Sequence, residues 1–126
     1  MQSDSSQLPI TSEEKQLILA AYQAFNTRNV DTALTLMTPD VHWPNGMEGG
    51  YVYGPAEVKS YWLRQWTMIN PTVQPSSIQK DNTGRIVVEV HQVVKDLSGN
   101  LLQDKMLYHV YTLTEGLIKH MEIHEL

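Results

Sequence analysis

Two stretches decide the fold: RIVVEVHQVVKD (residues 85–96) and LLQDKMLYHVYTL (residues 101–113), joined by Leu97-Ser98-Gly99-Asn100. Apolar residues recur at alternate positions in both, which is the period of a strand, and the four residues between them are turn formers. A second tight turn at Glu115-Gly116 leads into LIKHMEIHEL (residues 117–126), and the β pattern already runs from Val73 through Ile78-Gln79-Lys80. Long strands that follow one another through short turns make an antiparallel meander. Within 85–96, Glu89 and His91 share a face with Val87 and Val93, while Val88, Val90, Gln92 and Val94 take the other. One face lines an interior and the other meets solvent or a second subunit; apolar residues on both favour the subunit, and a homodimer through the outer sheet face is expected.

Upstream the period changes to that of helices. Thr11-Ser12-Glu13-Glu14 is a capping box, followed at helical spacing by Leu17, Ile18, Ala21, Tyr22 and Phe25. Asn29 caps a shorter helix with Val30, Ala33, Leu34 and Met37 inward, which Thr38-Pro39 stops. Residues 41–43 form a short extended piece, and a Gly-rich loop carries the chain to Gly54-Pro55. There Pro55 and Glu57 start a third helix with Val58, Trp62, Trp66 and Ile69 in one stripe, ended by Asn70-Pro71. Helices first and a meander after predict an α+β fold, three N-terminal helices packed on a strongly curved, mostly antiparallel sheet. Residues 11–126 form one domain, and residues 1–10 are expected to be a disordered polar tail.

Composition narrows the function. The formal charge is −5, from 9 basic and 14 acidic residues without a Lys/Arg cluster, which argues against nucleic acid as a partner. There are no cysteines, so thiolate metal sites and cysteine nucleophiles are excluded. The apolar runs fall short of the ~20 residues of a membrane helix, and no signal-peptide pattern opens the sequence, so no membrane association and a cytoplasmic location are expected. His120 and His124 stand on a strand, roughly 13 Å apart, too far to share an ion. With no G-x-S-x-G elbow and no phosphate-binding loop, neither a metal nor a cofactor is expected.

The run AAYQAFNTRNVDTALTLMTPDVHWPNG, then GPAEVKSYW, then YHVYTLTEGLIKHMEIHE resembles the nuclear transport factor 2-like (NTF2-like) superfamily, nearest its SnoaL-like and ketosteroid-isomerase-like branch, over roughly residues 12–125. The resemblance implies a cone, a bent sheet wrapped around three helices with an apolar pocket open at one end, usually in a homodimer. Members include isomerases, cyclases, dehydratases, epoxide hydrolases and non-catalytic binding domains, so fold alone does not choose among them.

Where the ketosteroid isomerases carry a proton-abstracting aspartate, this chain has Asn45, whose amide has no useful basicity. Their oxyanion tyrosine falls at Ala21, one position and about 100° from Tyr22, and their second acid falls at His109. Ketosteroid isomerisation is therefore rejected. SnoaL-type cyclases use a carboxylate late in the sheet, and the nearest candidate is Glu122. His109 and Tyr111 share a strand face with Leu107 and Leu113, which makes His109 the candidate acid, base or hydrogen-bond donor. Trp43, Trp62 and Trp66, with Tyr22 and Phe25, form either an aromatic wall for a small hydrophobic molecule or an ordinary core. Tyr51 and Tyr53 fall in the Gly-rich loop, as a lid or as ordinary surface residues. Three readings stay open: a cofactor-free isomerase, cyclase or lyase using His109, Asn45 and Tyr111; a ligand carrier; or a dimerisation domain whose cavity its own side chains fill.

Overall fold

The computed structural model describes residues 9–126, so residues 1–8 of the expected tail lie outside it. Helix α1 (Ser12–Asn26) begins at the capping box: Glu14 N donates to Thr11 Oγ1 at 3.1 Å and Thr11 N to Glu14 Oε1 at 2.9 Å. Its buried face holds Ile18, Ala21, Tyr22 and Ala24. Helix α2 (Val30–Leu34) is capped by Asn29 and is shorter than its residue spacing predicts. Met37, expected on that helix, opens strand β1 (Met37–Pro44). Leu36 O accepts from Ile118 N at 2.8 Å and Met37 pairs with Ile118, so pairing with a strand eighty residues away overrides local helical spacing.

Strand β2 (Tyr51–Tyr53) corrects the expectation of an irregular loop, since it pairs antiparallel with β1, His42 facing Tyr53. The intervening turn needs Gly49 and Gly50, whose φ values of 86° and 73° suit glycine. Helix α3 (Gly54–Trp66) follows, with Glu57 Oε1 accepting from Tyr53 N at 2.7 Å at its start. Ile69, placed by its spacing on this helix, instead begins strand β3 (Ile69–Lys80), which contains Pro71 and Pro75. Those prolines signal an edge: β3 ends the sheet, whose order is β2-β1-β6-β5-β4-β3.

Strands β4 (Ile86–Asp96), β5 (Leu101–Thr114) and β6 (Leu117–Glu125) form the expected meander, with Glu115 and Gly116 at φ 53° and 78° in its last turn. Because β1 runs parallel to β6, the six-stranded sheet is mixed; it is curved and does not close. The fold is α+β, with the helices against the sheet's concave side.

Pairing resolves the two faces of β4. Ile86 opposes Tyr111, Val88 opposes His109 and Val90 opposes Leu107, and all six side chains are buried. Directly opposed residues share a face, so these six point inward while Val87, Glu89, His91 and Val93 point out. Two contacts fix the end of α1 to the edge strand. Asn26 Nδ2 donates to Val73 O at 2.8 Å and Val73 N to Asn26 Oδ1 at 2.9 Å, while Arg28 donates to Pro71 O at 2.7 Å. Among the described residues no helix is long and apolar enough to cross a membrane.

Candidate functional site

The space between α1, α3 and the concave sheet is not filled. A cavity of about 630 Å³ opens there, within the size range of small-molecule sites. Phe25, Trp43, Trp62, Leu107 and Met121 supply apolar wall. Trp62 is nearly fully buried and meets Trp43 edge-on at 5.4 Å and Phe25 at 5.1 Å between ring centroids. Interlocked edge-to-face rings brace one another and leave little freedom to collapse into the space.

The buried polar part of the wall is a chain of three residues. Tyr111 Oη donates to Tyr22 Oη at 2.8 Å, and Tyr22 Oη lies 2.8 Å from His109 Nδ1. The order of this chain fixes the imidazole tautomer. If Tyr22 gives its proton to Nδ1, every hydroxyl hydrogen has an acceptor and His109 carries its own hydrogen on Nε2. In the reverse arrangement, with Nδ1–H donating to Tyr22, one phenol hydrogen is buried without an acceptor and Nε2 is left a buried lone pair, two unmet groups against the single Nε2–H of the first. We therefore assign the Nε2–H tautomer. Nε2 is buried and has no hydrogen-bond partner among the described residues, and His109 lines the cavity.

Burial sets the protonation states. It pushes His109 down to about 4, because an imidazolium would lose its hydration, so the ring is neutral at physiological pH. The same desolvation raises Tyr22 and Tyr111 well above the ordinary phenol value. The group presented is thus a neutral N–H donor on a relay of neutral phenols. It can polarise a carbonyl or hold a phenolate, but it is a poor base.

The structure brings Tyr22, Trp43, Asn45, Trp62, His109 and Tyr111 to the cavity and leaves Trp66 and Glu122 away from it. Trp66 packs behind the wall on Phe25 and Trp62, with the Arg28 guanidinium 5.0 Å from its ring. Glu122 is a correction: β6 alternates, so Met121 and Ile123 face inward and Glu122 outward, where His124 Nε2 contacts it at 2.9 Å and His120 Nε2 at 3.5 Å. Asn45 reaches the rim, but its side chain serves its own loop, donating to Glu48 and accepting from Met47 N and Glu48 N. Tyr51 and Tyr53 sit against His120 and His42 rather than over the mouth. Sequence reading missed the polar rim, where Gln92 meets Gln103 and Lys105 meets Glu125. Its signal was the two-residue period: Gln92 opposes Lys105 on the face that carries His109.

Comparison with known proteins agrees with this fold. No protein of curated function matches the sequence. Among solved structures, TerC co-crystallised with polyporic acid is 28% identical, covering 91% of this chain and 92% of that one at a TM-score of 0.79. An NTF2-like protein of unknown function from Burkholderia pseudomallei is 27% identical, covering 92% of each chain at 0.79. SalBIII, an epoxide hydrolase/cyclase-like enzyme of salinomycin pyran ring formation, shares the fold at 19% identity, 89% of each chain and 0.75. A family model for the SnoaL-like domain matches residues 18–121, which span both the helical wall and the His109 strand. The chain belongs to the SnoaL-like domain family, and its fold is NTF2-like.

Proposed function

We propose that the cavity binds a flat, apolar, oxygen-bearing metabolite and that His109 Nε2–H donates to one of its oxygens, promoting isomerisation or cyclisation without a cofactor. The observation that carries this reading is the unpartnered, buried Nε2 of His109, a residue that lines an aromatic cavity. A donor held there becomes satisfied when a carbonyl or phenolic oxygen arrives, which links binding to polarisation of that oxygen. On enolisation the α-hydrogen leaves as a proton to water while the carbonyl oxygen takes the hydrogen bond. The co-crystallisation of TerC with polyporic acid and the polyketide cyclase-like structures sharing this fold support the substrate class.

A carrier that leaves its ligand unchanged is the second reading. It is favoured by the lack of a carboxylate inside the cavity: Asn45 is an amide, and the one acidic lining residue among those described, Glu125, stands exposed at the mouth. Titrating polyporic acid while following Trp43 and Trp62 fluorescence tests binding. Saturable quenching, weakened about tenfold in a folded His109→Ala variant, is expected for one lost hydrogen bond of about 1.4 kcal/mol. Quenching that His109→Ala leaves unchanged would overturn the assignment of His109. Deuterium exchange at the α-carbon of 2-tetralone, a small aromatic ketone, separates catalyst from carrier. Acceleration by the wild type that His109→Ala abolishes supports the enzyme, whereas binding without acceleration supports the carrier.

A homodimer through the outer sheet face, in the cytoplasm, belongs to the same reading. Support comes from Val87, Val93, Met106 and Tyr108, which point outward among polar neighbours, and from a chain without cysteine. A monomer by native mass spectrometry would count against the interface.

A further inference from the structure

Resting on the binding reading above, we infer that the cavity selects an elongated anionic ligand, with an oxygen acceptor at its buried end and an acidic group at the mouth held by Lys105. Lys105 is the one cation among the described residues lining the cavity. It shares a strand face with His109, four positions further along β5 and about 13 Å away along the strand. That span fits two or three linked or fused rings, with His109 at one end and the ammonium at the other.

Lys105 is not committed to its protein partner. Its Nζ meets the Glu125 carboxylate at 3.3 and 3.4 Å, long for a charged pair, and the Glu125 side chain is 73% exposed against 38% for Lys105. Such a surface pair contributes little, so a carboxylate or sulfonate entering the mouth replaces Glu125 at small cost. An ammonium has three N–H donors, and the ligand's other end meets a neutral imidazole and an apolar wall, which give no charge selectivity. The amides of Gln92 and Gln103, beside Lys105 at the rim, supply further donors without a competing charge. In a protein of net charge −5, a cation at the cavity mouth is a local exception to the surrounding field.

A matched pair of dyes tests this: 1-anilinonaphthalene-8-sulfonate and N-phenyl-1-naphthylamine, the same ring system with and without the sulfonate. Wild type is expected to bind the sulfonate about three- to fivefold more tightly than the neutral dye, a preference that shrinks as salt rises from about 0.05 to about 0.5 M. Lys105→Gln should abolish the preference and leave affinity for the neutral dye unchanged, and Glu125→Gln should enlarge it. Binding of both dyes with a ratio that Lys105→Gln does not alter overturns the inference while sparing the binding reading. Failure of the neutral dye to bind overturns the binding reading, and the inference with it.

Discussion

Tyr22 Oη and His109 Nδ1 lie 2.8 Å apart although 87 residues separate them in sequence, so the helix reads the tautomer of the strand. Nitrogen-15 shifts and proton couplings of His109 should show a neutral ring protonated on Nε2 at pH 7. In Tyr22→Phe, Nδ1 and the Tyr111 hydroxyl both lose their partner, the fixed tautomer is lost, and stability falls by about 1–3 kcal/mol. A wild-type ring protonated on Nδ1 would make His109 an acceptor and reverse the chemistry assigned to it.

Stability should fall on mild acidification for the same reason. The unfolded chain takes up a proton at His109 near 6.5, the folded chain only near 4, so between these values the unfolded state binds more protons. The contribution is complete above about 6.5 and is lost as pH drops toward 4, roughly 3 kcal/mol in all. Urea midpoints at a series of pH values, compared with His109→Gln, should give a shallower acid limb for the variant.

Trp62 and Glu122 make a contrast of inner and outer faces. Trp62→Ala empties a position 2% exposed and should cost about 3–5 kcal/mol in chemical denaturation. Glu122→Gln, on the convex face, should leave dye and polyporic acid affinities within twofold of wild type, because its charge points away from the cavity. A larger change would mean that the outer face communicates with the site.

Asn26 offers the fourth test. Its amide makes both backbone contacts to Val73, and Asn26→Ala should lower stability by about 1–3 kcal/mol, with amide exchange at Val73 accelerating before that at the centre of β4. Uniform acceleration across the sheet would instead indicate a merely global loss.

The meander was legible because its alternation is local, as in Val88 and Val90 of β4. Met37 and Ile69 were misplaced for the complementary reason. Each continues a helical stripe by spacing, and each is taken by a strand partner distant in sequence, Ile118 and Asp96. At the site, His109 and Tyr111 could be placed together by parity, but their link to Tyr22 is a tertiary contact with no trace in spacing. Glu122 failed because parity gives two faces without saying which is inside. That Asn45 is an amide is plain in the sequence, while its engagement with Glu48 depends on turn geometry.

The exposed border of β3 has one further property. Pro71, Val73 and Pro75 present their outward backbone in succession; two have no N–H to give, and the third is already taken by a side-chain amide. The carbonyls of Pro71 and Val73 are likewise occupied, by Arg28 and Asn26. An incoming peptide finds no ladder to extend there, which shields this margin from strand addition and from the runaway stacking that unprotected sheets invite.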